Sequence, residues 1–311
     1  MTRSAWVFPG QGSQSLGMLA ELAAAFPSVR TTFAEASDAL GKDLWQLAQE
    51  GPEAELNATE NTQPLLLTGG IAVWRVWQQQ GGKLPAYVAG HSLGEYTALV
   101  AAGVLSLADG VRLVAERGRL MQAAVPAGQG AMAAILGLED EQVIAACAEA
   151  AQGEVVSAVN FNAPGQVVIA GGTAAVERAI VLLKAAGAKR ALPLPVSAPS
   201  HCALMQPAAE KLAERLRDIT FNQPVMPVVQ NAAARVEADL DAMRAALVTQ
   251  LHSPVLWVQC VQWLAAQGVS QFVESGPGKV LSGLDKRIAK DAEHYSADSS
   301  ESLKAALAAV C

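Results

Sequence analysis

The 311-residue sequence predicts an α/β fold, a large domain with a parallel sheet into which a smaller α+β unit is inserted. Three observations predict it. The chain is 51% hydrophobic and only 16% charged, the composition of a sheet covered on both faces. Short apolar runs alternate with longer segments of helical period, the order expected of a crossover-connected sheet. After residue 126 that order becomes β-α-β-β-α-β, the split arrangement of a small ferredoxin-like unit.

Taken in order, residues 5–8 (Ala-Trp-Val-Phe) read as a buried strand, stopped by Pro9-Gly10 and the turn Gly10-Gln11-Gly12. Helical spacing follows at 16–25, 29–40 and 63–80, the last carrying Trp74 and Trp77. A short strand at 87–89 ends in Gly90, and helical spacing resumes at 95–102. Residues 107–124 form a strongly amphipathic helix containing Arg112, Arg117 and Arg119, and 126–130 is a break. The small unit reads strand 131–136, helix 139–151, strands 155–161 and 166–170 about a Pro164-Gly165 turn, helix 173–186 and strand 189–194. The expected division is therefore 1–126 with 197–311 as one discontinuous catalytic domain, and 127–196 as the insert. Beyond it lie a helix at 203–217, a strand at 225–230, helices at 240–250 and 255–268, and a strand at 271–274. Gly276-Pro277-Gly278 then precedes a helix, and residues 290–300 read as a polar, irregular tail.

Charge and cysteine usage exclude several classes. A net charge of −7 argues against a nucleic-acid binder with a broad basic face, so an acidic partner needs a local basic patch. Cys147, Cys202, Cys260 and Cys311 show no CxxC spacing, which fits reduced thiols better than a disulfide framework or a zinc site. Met1-Thr2-Arg3-Ser4 leads straight into a strand, with no signal-peptide core. The longest apolar stretch, about 98–108, is interrupted by Gly103 and Ser106 and is too short to span a bilayer. The expectation is a soluble cytoplasmic protein.

Gly90-His91-Ser92-Leu93-Gly94 fits G-x-S-x-G, after a strand and before a helix. In that context the motif becomes a nucleophile elbow, which makes the large domain α/β-hydrolase-like and points the N–H of Leu93 at a developing oxyanion. The alternative is a Gly- and Ser-bearing loop that caps the helix. Such a serine needs a base, and the chain has four histidines. His91 adjoins the serine and is turned away by the elbow; His252 sits at a helix end, where C-capping is the ordinary role; His294 lies in the polar tail and reads as solvated. That leaves His201, in the loop Pro199-Ser200-His201-Cys202. By residue type alone Arg117 reads as a solvated charge on its helix, beside Glu116 and Arg119.

Gly10-Gln11-Gly12-Ser13-Gln14, Gly90-His91-Ser92-Leu93-Gly94-Glu95, Arg117-Gly118 with Met121, Pro199-Ser200-His201, Asn231 and Ser275-Gly276-Pro277-Gly278 occur in one order along nearly the whole chain. Together they resemble the malonyl-CoA:acyl carrier protein transacylases of bacterial fatty acid synthesis, free-standing type, and the acyltransferase domains of polyketide synthases. The resemblance implies that Ser92 is acylated by malonyl-CoA and that His201 takes and returns its proton. It implies that the backbone carbonyl of Gln250 orients His201, and that the N–H groups of Gln11 and Leu93 form the oxyanion hole. It also implies that Arg117 pairs with the malonyl carboxylate, a bidentate match that acetyl would leave unmade. The chain departs from the family pattern at Ala232-Ala233, where a valine commonly follows the asparagine.

The implied reaction is ping-pong: malonyl-CoA loads Ser92, and the phosphopantetheine thiol of holo acyl carrier protein removes the group, with no cofactor and no metal. The enzyme is expected to act as a monomer, apart from nucleic acid and membrane. Carrier proteins are acidic, so Lys189, Arg190, Lys286 and Arg287, with Lys290, are candidates for docking; the plain alternative is solvating charge at element ends. Two other functions share the elbow. A serine hydrolase or thioesterase would need a triad acid between Ser92 and His201, where Asp109, Glu139, Asp140, Glu154 and Glu177 hold no distinctive position. A polyketide-type acyltransferase would use another extender unit.

Overall fold

Arg3–Phe8 is a strand whose two faces enter different cores. Trp6 and Phe8 pack with the long helices on one side, Ala5 and Val7 with Trp257 and Phe272 on the other. That two-sided burial is why the segment has no polar alternation. The computed structural model describes residues 3–196, 198–237 and 239–311. Met1 and Thr2, which entered the reading of the N-terminus, and Ser197, which opens the expected second part of the large domain, lie outside the described residues.

Ten strands are present among the described residues: β1 (Arg3–Phe8), β2 (Tyr87–Gly90), β3 (Gly130–Leu136), β4 (Val156–Ala163), β5 (Gln166–Gly172), β6 (Arg190–Pro193), β7 (Val228–Gln230), β8 (Arg235–Val236), β9 (Val269–Glu274) and β10 (Glu293–Ser296). The larger sheet runs β10-β9-β1-β2-β7-β8. It is parallel from β10 to β7, and β8 adds a short antiparallel edge. The fold class is thus the expected one, with a mixed edge on the parallel sheet.

The apolar helix Thr59–Gln79 packs on β1, where Trp6 meets Trp74 and Trp77 edge-on at 4.9 and 4.7 Å. Leu107–Ala124 lies against it so closely that a Cβ on Gly118 would fall 2.6 Å from Glu60 Cα. Arg117, the neighbour of Gly118 on that helix, is buried instead of solvated.

The smaller sheet is antiparallel, in the order β4-β5-β3-β6. This is the ferredoxin-like order, with helices Asp140–Ala151 and Thr173–Ala185 packed over one face. β4 is joined to the rest of the protein through Phe161 N–H to Val255 O (3.0 Å) and Val255 N–H to Val159 O (2.8 Å).

Several expectations change. The helix expected at 16–25 begins only at Ala20, because Gly17 and Leu19 take left-handed φ values of 76° and 61°. Leu44–Glu50 and Glu53–Leu56 are helical where no element was expected. The tail is not irregular: β10 forms the sheet edge and Ser300–Val310 is a helix that buries Leu303 and Ala306. An edge strand packs few side chains, so its sequence stays polar. His294 is correspondingly not solvated; it is partly buried, stacks on Phe272 at 5.2 Å and bonds Ala289 O. No helix among the described residues is long and apolar enough to cross a membrane.

Candidate active site

β2 runs into the helix Leu93–Ala101 with only His91 and Ser92 between them. The turn is so tight that a Cβ on Gly90 would lie 1.9 Å from the carbonyl of Gly94, and one on Gly94 2.0 Å from Phe8 O. Ser92 itself holds φ 51° and ψ −107°, a strained backbone for a residue with a side chain. Asn231, at the end of β7, steadies the turn: its Oδ1 accepts the Ser92 N–H at 2.7 Å and its Nδ2 donates to Gly90 O at 2.7 Å.

His201 lies beyond the small unit, with φ 64° and 2% exposure. Its Nε2 is 2.7 Å from Ser92 Oγ, and its Nδ1 is 2.7 Å from the carbonyl oxygen of Gln250. A carbonyl only accepts, so Nδ1 carries the proton and Nε2 is free to accept from the serine. Burial first, then the Arg117 charge, pushes the His201 pKa down to about 3, so the ring is neutral at ordinary pH.

Arg117 is 1% exposed. Nη1 donates to Gln63 Oε1 at 2.9 Å, and Nη2 to Gln250 Oε1 at 3.0 Å and to Ser92 Oγ at 3.3 Å. The guanidinium carbon lies 5.3 Å from the Tyr96 ring centroid. The solvated-charge reading of Arg117 is therefore not what the fold produces. Among the described residues, the backbone N–H groups of Gln11 and Leu93 have no protein acceptor, and both residues line the cleft above Ser92.

That cleft holds about 340 Å³ and is lined by Gln11 and Thr59, by Met132, Asn160 and Leu194 of the small unit, and by Ser92, His201 and Arg117. The His91 ring turns to the small unit, where Nε2 meets Asn162 Oδ1 at 2.7 Å. Burial lowers the His91 pKa. His252 closes the helix Leu240–His252, as its position suggested.

The five docking candidates, Lys290 among them, are exposed and do not line the cleft. Lys189 and Arg190 stand at the start of β6, Lys286 and Arg287 at the end of the helix Val280–Ile288. Arg287 donates to Gln166 Oε1 and Pro164 O, so it spans to the β4–β5 turn instead of standing free.

Sequence reasoning missed Gln63, which sits 54 residues from Arg117 in the chain and carries no motif. It also gave no role to the side chain of Gln250 or to Glu95, which is fully buried beneath the elbow. Glu95 had a faint signal, an acid inside an otherwise apolar helix start.

A family model described as the acyl transferase domain matches residues 5–300. The malonyl CoA-acyl carrier protein transacylase of Escherichia coli (strain K12) is 62% identical over 288 residues, 93% of each chain. A crystal structure of malonyl-CoA:acyl carrier protein transacylase from Xanthomonas oryzae pv. oryzae is 56% identical, with a TM-score of 0.98 over 100% of both chains. A type II polyketide synthase acyl-carrier protein in complex with its malonyl-transacylase provides another match, with 58% identity, a TM-score of 0.98 and coverage of 99% of this chain and 100% of that one. With likeness of this extent in sequence and fold, the chain belongs to the malonyl-CoA:acyl carrier protein transacylase family.

Proposed function

We infer that this protein transfers a malonyl group from malonyl-CoA to the phosphopantetheine thiol of acyl carrier protein, supplying the extender unit for fatty acid synthesis. Ser92 Oγ attacks the thioester carbonyl as its proton passes to His201 Nε2; the C–S bond breaks and the CoA sulfur leaves with that proton. The carrier thiol then gives its proton to His201 and attacks the ester, the C–O bond breaks, and Ser92 recovers its proton. Each tetrahedral oxyanion is held by the N–H groups of Gln11 and Leu93. Arg117 holds the malonyl carboxylate. Thioester, ester and thioester succeed one another, so the group stays activated without ATP or a redox step.

The observation that carries this reading is the position of Arg117, whose Nη2 is 3.3 Å from the same Oγ that faces His201. A buried guanidinium beside a serine nucleophile is built for an acyl group that ends in an anion. A lipase or simple esterase has no use for it.

Two finer points belong to the same reading. Residues 127–196 act as a subdomain that forms one wall of the cleft, supported by their separate core. Lys189, Arg190 and Lys286 present the local positive charge that an acidic carrier protein needs, and we expect the enzyme to work as a cytoplasmic monomer.

The test is intact-protein mass spectrometry after brief exposure to malonyl-CoA, then to holo acyl carrier protein. A malonyl adduct on the wild type, absent in Ser92→Ala and discharged onto the carrier, is the expected result. An adduct that decays to free malonate regardless of carrier would replace transfer by hydrolysis.

A further inference from the structure

We propose that Glu95 is a positioning residue for acyl transfer: its carboxylate holds Asn231 and Gln250, and through them keeps Ser92, His201 and Arg117 in register. The proposal rests on the function inferred above.

One oxygen, Oε2, accepts two bonds, from the Asn231 backbone N–H at 2.8 Å and from Gln250 Nε2 at 3.1 Å. The first bond leads to the nucleophile, because the Asn231 side chain joins the Ser92 N–H to Gly90 O. The second leads to everything else. Gln250 Nε2 also donates to Ser92 O at 2.9 Å, its Oε1 receives Arg117, and its main-chain carbonyl receives His201 Nδ1. An amide has one donor end and one acceptor end. Glu95 and Ser92 O together hold the donor end of Gln250, and that leaves the acceptor end for the guanidinium. Without Glu95 the amide can turn and set its NH2 against Arg117, a repulsive contact in a dry site.

The other oxygen, Oε1, is buried with no hydrogen-bond partner among the described residues. A proton can sit there without disturbing the bonds at Oε2. Burial pushes the Glu95 pKa up to about 7, opposed by the Asn231 N–H, then Gln250, then the Arg117 charge. Of the groups facing it, Arg117 keeps its charge, Tyr96 is pushed up to about 12 by burial, and the Cys260 thiol is held well above its ordinary value, again by burial. With His201 held near 3, Glu95 is the member of this network that changes charge in the neutral range. Its ionised form makes the stronger, charge-assisted bonds.

The experiment measures single-turnover malonylation of Ser92 by quenched mass spectrometry between pH 6 and 8, for the wild type, Glu95→Ala and Glu95→Gln. Glu95→Ala is expected to slow acylation about thirtyfold, in kcat rather than KM. Glu95→Gln keeps an acceptor oxygen and should recover much of that loss, yet lose the wild-type rise in rate through pH 7. Acylation by Glu95→Ala within about twofold of the wild type, or a wild-type pH profile in Glu95→Gln, would overturn the proposal. If Glu95→Ala does not fold, the Glu95→Gln profile decides alone. Failure of the wild type to form any adduct would instead remove the transacylase reading.

Discussion

Arg117 Nη2 stands 3.3 Å from Ser92 Oγ, within reach of a single short acyl group. A malonyl ester on the serine carries its carboxylate two carbons from the carbonyl, so one guanidinium can meet that carboxylate without moving the nucleophile. Arg117→Ala should lower kcat/KM for malonyl-CoA about a hundredfold while leaving acetyl-CoA nearly unaffected, so the preference collapses. Arg117→Lys should restore little, because an ammonium is a point charge and Gln63 and Gln250 hold a fork. Steady-state rates with the two thioesters check this.

His201 should leave a mark on stability as well as on rate. His201→Ala should slow acylation by a factor on the order of a hundred to ten thousand at neutral pH. Its folded pKa, about 3, lies below the ordinary 6.5. Between those values the unfolded chain binds a proton that the folded chain refuses. The contribution is therefore full above 6.5 and is lost as pH falls toward 3. Thermal midpoints from pH 7 to 4 should fall more steeply in the wild type than in His201→Gln.

The elbow should tolerate no methyl group. Gly94→Ala sets a Cβ 2.0 Å from Phe8 O, where backbone of β1 must move. Expected destabilisation exceeds about 3 kcal/mol, and denaturant titration measures it. Gly12, whose added Cβ would meet nothing within 4 Å but whose φ is 108°, should lose less on the same change.

Asn231→Ala leaves the Ser92 N–H and Gly90 O without their partner. About 2 kcal/mol of stability should go with it. Acylation should drop at least tenfold, since the serine's strained φ of 51° is no longer braced. Calorimetry and the malonylation assay separate the two effects.

Charge reversal distinguishes the exposed cations. Lys189→Glu with Arg190→Glu should raise the KM for carrier protein several-fold and leave Ser92 loading by malonyl-CoA unchanged. Arg287→Ala acts differently, because Arg287 holds the β4–β5 turn. It should increase hydrogen exchange at residues 163–166.

The alternating pattern and the elbow were legible because both depend on neighbours in sequence. β1 reads as a strand from its own apolar run, and Gly90-His91-Ser92-Leu93-Gly94 announces its turn because two glycines are needed within five residues. The ends were less legible. β10 lies within a polar run and the helix Ser300–Val310 follows it, and an edge strand needs little apolar surface of its own. Leu16 to Leu19 carry helical spacing but fold as turns, since Gly17 and Leu19 take positive φ values that no helix contains.

By itself, the sequence determined the fold class, and it pointed to Ser92 as the candidate nucleophile and to His201 over three other histidines as the candidate base. These follow from local periodicity, from steric limits on a sharp turn, and from the scarcity of bases in the chain. Only the tertiary structure decided that Arg117 is buried, that Gln63 and Gln250 hold it, and that Glu95 lies beneath them. Those residues lie far apart in the chain, and each is ambiguous alone. A helix arginine becomes a binding group only when packing removes its water and supplies acceptors in its place.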